Sequence, residues 1–168
     1  MSSIAILFVC LGNICRSPTA EAVFRAKVVS AQLDRSVAIA SAGTYGGHAG
    51  QPPDPRAQAH ASRRGYDLSS LRARAVERQD FDRFDLIFAA DGWNLARLES
   101  MAPRARRARI VRMLDFAADP ALRALGDVPD PYTGQARDFE HALDLIEAAC
   151  EGLLAHVAAS FGAARESR

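Results

Sequence analysis

A cysteine and an arginine six positions apart, Cys10 and Arg16, bracket the stretch of this chain whose residue types can do chemistry: Val9-Cys10-Leu11-Gly12-Asn13-Ile14-Cys15-Arg16-Ser17-Pro18. A thiol becomes a nucleophile when it ionises. Cys10 follows an apolar run and precedes a helix start, where backbone N–H groups and the helix dipole favour negative charge, so the thiolate is the expected form. Gly12 lets backbone approach a ligand, and Asn13 tolerates a left-handed conformation, which together predict a concave nest of amides. The planar fork of Arg16 matches two oxygens of a tetrahedral oxyanion, so the loop is expected to hold phosphate. A phosphate monoester also needs its leaving oxygen protonated. The loop has no acid of its own.

Elements must position this loop. Ile4-Ala5-Ile6-Leu7-Phe8-Val9 is the short apolar run of a strand buried on both faces. Ser17 is read as the cap, and Pro18 as a first-turn residue, of a helix over Thr19 to Val29. Ser36 to Ser41 predicts a second strand and Phe84 to Ala90 a third, with a short fourth at Ile110-Val111. Asp54-Pro55-Arg56-Ala57 opens a helix that Gly65 ends, and its role is expected to be structural. Asp91 to Leu98 reads as a further helix, with Asp91 open to two readings, a plain N-cap or a residue at the lip of the site. Phe139, Leu143, Ile146, Cys150, Leu153, Val157 and Phe161 repeat at helical spacing with acids between them, an amphipathic last helix. Strands alternating with helices predict an α/β fold, a parallel sheet covered by helices on both faces as three layers.

Composition bounds the rest. With 168 residues and 49% hydrophobic content, one domain over 1–168 is expected. A formal net charge of +1 gives no global field toward nucleic acid or an acidic membrane. The first apolar run is too short for a signal-peptide core or a span, so no membrane insertion and a cytoplasmic location are expected. Cys10, Cys15 and Cys150 make no disulfide framework, and no Cys or His spacing matches zinc, so no metal or cofactor is expected. Cys150 reads as a packed, inert thiol, and His48, His60, His141 and His156 as surface or helix-face residues.

Cys10-x-x-x-x-x-Arg16-Ser17 after a buried N-terminal strand, the placement of Asn13 and Cys15, Asp54-Pro55-Arg56 and a late Asp130-Pro131-Tyr132 together resemble the low-molecular-weight protein tyrosine phosphatases, in the bacterial form. The resemblance spans nearly the whole chain. It implies a four-stranded sheet in the order 2-1-3-4, and hydrolysis of phosphotyrosine through a cysteinyl-phosphate. Cys10 is then the nucleophile, Arg16 the oxyanion clamp and Asp130 the general acid, with Leu11, Gly12, Asn13, Ile14, Cys15, Ser17 and Ser41 forming and bracing the phosphate loop. Tyr132 is expected to stack on a substrate ring. Tyr45 is either a pocket wall or an ordinary loop aromatic.

Departures from the pattern are informative. An aromatic that lines the pocket in many relatives falls at Gly47, and a histidine that contacts the loop asparagine in animal relatives falls at Leu71, which leaves Ser41 alone to brace Asn13. Cys15 has two readings, packing beneath the loop or reversible capture of oxidised Cys10. The resemblance implies a phosphotyrosine protein as partner, with autophosphorylating bacterial tyrosine kinases among the substrates of relatives. Two other classes compete. Thioredoxin-coupled arsenate reductases share the loop but need further cysteines, which Asp82 to Ser100 lacks. A non-catalytic phosphate-binding module would lack the nucleophile or the acid.

Overall fold

In the computed structural model, residues 3–166 are described. β1 (Ile4–Cys10) leads through the loop into α1 (Arg16–Ser30) and β2 (Val37–Gly43); α2 (Pro55–Arg63) and α3 (Asp80–Arg83) precede β3 (Leu86–Ala89). α4 (Gly92–Met101), β4 (Arg109–Arg112), a 3₁₀ turn at Met113–Phe116, α5 (Pro120–Leu125) and α6 (Ala136–Glu166) complete the order. The sheet is parallel throughout, ordered β2-β1-β3-β4.

The apolar run of β1 is unbroken because both of its faces are covered. Ile6, Phe8 and Cys10 point into one core with Phe24 of α1, Phe88 of β3 and Leu143, Ile146 and Leu153 of α6. Leu7 and Val9 point into the other, with Phe81, Ile87 and Leu98. Phe8 stacks on Phe88 with ring centroids 5.5 Å apart and meets Phe24 edge-on at 5.9 Å. The expected layers and strand order are therefore both present.

Strand order also places the site. The chain leaves β1 for β2 on one side and later returns to β3 on the other, so the carboxyl end of β1 faces the crevice where the order reverses. Cys10, paired with Gly43, is itself the last residue of β1. An added Cβ at Gly43 would fall 2.7 Å from the Leu11 carbonyl oxygen and 3.1 Å from the Asn13 nitrogen. Only glycine allows β2 to lie this close to the loop.

Local capping agrees with the sequence at α2 and α4. Asp54 accepts the Arg56 N–H at 2.8 Å ahead of Pro55, and Asp91 accepts the Asn94 N–H at 2.8 Å. It disagrees at α1. The helix begins at Arg16 with Cys15 at its cap position and no side-chain cap, so Ser17 is not the N-cap. Its hydroxyl is turned inward instead, toward Cys10.

Candidate active site

The phosphate loop is built from the backbone up. Asn13 has φ 56°, the left-handed geometry expected of it. Its amide makes that conformation tolerable by bonding in three directions: Nδ2 donates to Ser17 Oγ at 2.8 Å and Ser41 Oγ at 3.0 Å, while Oδ1 accepts the Arg74 N–H at 3.0 Å. The bracing behind Asn13 thus does not rest on Ser41 alone. Leu71 is packed against the core, and a main-chain N–H three residues later takes up the remaining valence of the asparagine. Arg74 is fixed in turn by fully buried Asp80 at 2.9 and 3.1 Å. Ser41 donates its own hydroxyl hydrogen bond to Glu21 Oε2 at 3.0 Å. Burial pushes the Glu21 carboxyl above its usual range against the pull of Ser41 and Arg25.

Ser17 Oγ lies 3.0 Å from Cys10 Sγ and 3.3 Å from the Ala42 carbonyl oxygen. Asn13 donates to the Ser17 oxygen, so the single hydroxyl proton of Ser17 is shared between two acceptors, the Ala42 carbonyl and the shorter contact to sulfur. Turned to the sulfur, that hydroxyl is a hydrogen-bond donor to Cys10.

Arg16 is only 2% exposed and is held from behind. Nη1 donates to Asp91 Oδ2 at 2.6 Å and to the Val128 carbonyl oxygen at 2.8 Å. Asp91 is therefore both cap and clamp, and its two oxygens divide the duties. Nη2 lies 3.5 Å from Asp130 Oδ2, and Nε is the buried side-chain polar atom without a partner among the described residues. The Nε–Nη2 edge, the one that fits two oxygens of an oxyanion, is left for a ligand. Burial opposes the charge, but Cys10, Asp91 and Asp130 outweigh it and hold the guanidinium above its usual range.

Cys10, Leu11, Gly12, Ile14, Cys15 and Arg16 form the floor of a cleft of about 130 Å³, whose walls are Tyr45, His48, Asp130 and Tyr132. The distant Asp130-Pro131-Tyr132 segment thus comes to the cysteine loop. Asp130 is 41% exposed at its side chain and accepts the Tyr132 N–H at 3.1 Å. Tyr45 is 56% exposed, and its ring occupies the space that a side chain at position 47 would fill. The residue therefore lies along the side of the cleft.

Two of the histidines expected on the surface or on a helix face have specific surroundings. His48 lies at the cleft, edge-on to Tyr45. His60 is buried, stacked on Phe139, with Nδ1 2.6 Å from Glu140 Oε1, because α2 packs on the start of α6. Arg74, Glu21 and Asp80 were also missed as parts of the site, since their spacing in the chain resembles that of any surface charge. Cys15 and Cys150 are free and buried, and burial, the leading cause for each, pushes both thiols well above the usual range. Among the described residues no group of His, Cys, Asp or Glu is arranged to hold a metal, and no helix is long and apolar enough to cross a membrane.

The family model for low molecular weight phosphotyrosine protein phosphatases matches residues 5–162. The chain belongs to that family. A low molecular weight protein-tyrosine-phosphatase of Streptomyces coelicolor is 48% identical over 153 residues, 90% of this chain and 92% of the relative. Another, YfkJ of Bacillus subtilis, is 44% identical over 155 residues, 92% of this chain and 96% of its own. The YfkJ crystal structure superposes with a TM-score of 0.87 at 42% identity over 95% of this chain and 98% of that one. A protein tyrosine phosphatase of Entamoeba histolytica, solved with Hepes in the active site, gives 0.87 at 38% identity over 94% of this chain and 99% of that one. Bacterial family members are thus among the relatives.

Proposed function

We propose that this family member hydrolyses phosphotyrosine and related aryl phosphate monoesters, in two steps at phosphorus. The observation that carries the reading is convergence on one cleft: a sulfur with a hydroxyl at 3.0 Å, the free edge of a buried guanidinium, and a half-exposed carboxyl from far along the chain. In the first step Cys10 Sγ forms a bond to phosphorus as the ester P–O bond breaks. The loop amides and the Nε–Nη2 edge of Arg16 hold the equatorial oxygens, and Asp130 gives its proton to the departing phenolate. In the second, ionised Asp130 takes a proton from water, the water oxygen bonds to phosphorus, and the P–S bond breaks. Ser17 receives the returning thiolate by donating to it.

Opposite charge states are needed in the free enzyme, thiolate at Cys10 and acid at Asp130. Activity is therefore expected to follow a bell-shaped pH profile with its maximum on the acidic side, without added metal. Walls that include Tyr45 and Tyr132, over a floor that includes exposed Leu11, suit an aromatic ring better than a serine side chain. The protein partner is a phosphotyrosine protein, an autophosphorylating tyrosine kinase being the class that the family resemblance offers, and the reaction is assigned to the cytoplasm. The test is turnover of a phosphotyrosine peptide against its phosphoserine counterpart, with rapid-quench capture of a phosphorylated protein. Preference for the tyrosine ester and label retained on wild type but not on Cys10→Ser are expected. Equal turnover of the two peptides, or label on Cys10→Ser, would overturn the reading.

A further inference from the structure

We propose that Arg56 is a positioning residue that sets the Asp130 loop against the Cys10 loop, an inference that rests on the phosphatase reading above. The connection is continuous. The Asp54 N–H donates to the carbonyl oxygen of Ile14, inside the phosphate loop, at 2.8 Å. The Asp54 carboxylate holds Arg56 on two sides, accepting from Nε at 3.1 Å on Oδ1 and from Nη2 at 2.8 Å on Oδ2. Arg56 Nη2 then donates across to the carbonyl oxygen of Tyr132 at 2.9 Å, and the Tyr132 N–H donates to Asp130 Oδ1 at 3.1 Å. The guanidinium also lies 5.6 Å from the ring centroid of Tyr132 and 4.8 Å from that of buried Phe139, so it grips the segment at its acid end and where it enters α6.

The chemistry explains why a strut is needed there. A general acid must stand within hydrogen-bond reach of the leaving oxygen. Asp130 is exposed, and its contact with Arg16 is a long 3.5 Å. Neither holds a carboxyl in place. Arg56 is 46% exposed at its side chain, so it acts as a brace over the surface rather than as a core residue. Among the described residues its side chain donates to Asp54 and to the Tyr132 carbonyl oxygen. Its effect runs through the Tyr132 main chain to Asp130, and through Asp54 to Ile14.

A role in aiming the acid predicts losses that depend on the leaving group. We would compare kcat/KM for phenyl phosphate, whose leaving oxygen needs the proton, with that for 2,4-dinitrophenyl phosphate, whose leaving oxygen does not. The proteins would be wild type, Arg56→Met, Arg56→Lys and, as reference, Asp130→Ala, each with a melting curve. Arg56→Met keeps the apolar packing on Phe139 and loses the donors. It is expected to lose about ten-fold on phenyl phosphate and less than about two-fold on the dinitrophenyl ester, a muted copy of the Asp130→Ala pattern. Arg56→Lys, with one donor head for two acceptors, should fall between. Equal losses on both esters in either variant, or no loss on phenyl phosphate while Asp130→Ala shows one, would overturn the proposal. If the wild type turned over neither ester, the phosphatase reading itself would fall and take the proposal with it.

Discussion

The loop that carries Cys10 and the loop that carries Asp130 meet at one cleft, yet they are held in opposite ways. Cys10 is 3% exposed at the end of a central strand, and Asn13, Ser17, Ser41 and the Arg74 main chain bond the turn beneath it from several directions. Asp130 is 41% exposed in a segment without strand or helix, tied down by the Val128 N–H on Ala90, a turn from Pro131 to Gly134, and Arg56. An oxyanion cradle gains by not rearranging during reaction. In the proposed reaction Asp130 must meet a leaving group, then water, and such an acid gains by standing in solvent. Rigidity and access have been assigned to different stretches of the chain.

Substitutions can break that contrast. The largest expected effect is Cys10→Ser, with a loss of turnover of at least about 10⁴-fold and an unchanged melting temperature. Residual turnover near wild type in a steady-state assay would remove Cys10 as nucleophile. Asp130→Ala comes next, with kcat/KM for phenyl phosphate down about 10²- to 10³-fold and the basic limb of the pH profile flattened. Because its carboxyl stands in solvent, stability should change by no more than about 0.5 kcal/mol in urea unfolding. A loss of several kcal/mol would mean that the acid loop is as built-in as the cysteine loop.

Asn13→Ala should do both kinds of damage. It leaves the half-buried Arg74 N–H without its acceptor and puts alanine at φ 56°. A cost of about 2–4 kcal/mol is expected, with turnover about 10- to 100-fold lower. Asp54→Ala is the mildest. It removes the α2 cap, about 1 kcal/mol, together with the partner of Arg56. The hydrogen bonds from Arg56 hold the Asp54 carboxyl below its usual range. That stabilisation is complete above the ordinary carboxylate range and disappears as pH falls through the lowered value. The gap in melting temperature between wild type and Asp54→Ala should therefore narrow on acidification. A gap that stays constant into strong acid would show that the cap, and not its charge, is what matters.

How much of this could be read from the chain follows the same divide. Hydropathy alone places β1 and β3, because strands buried on both faces leave unbroken apolar runs, and Asp-Pro marks α2 through the cost of an unmet N–H. The four-residue helix Asp80–Arg83 and the short α5 leave no such mark, since neither is long enough to show a period. At the cleft, Cys10, Arg16 and Asp130 are the residues the sequence picks out, because the proposed reaction requires those residue types. The Arg74 N–H is not legible, since any residue at that position would present it. At Ser17 the sequence is ambiguous, because serine before proline fits a cap as well as it fits a hydroxyl turned to sulfur, and only the start of α1 at Arg16 separates the two.

Tyr45 leans into the volume that a side chain at residue 47 would need. The aromatic wall of the cleft and the bare glycine beside it are therefore one trait written at two positions. Drift at 47 alone would fold without difficulty and swing the phenol outward, widening the mouth. A side chain at 47 would thus reshape the cleft through Tyr45 as well as through its own bulk.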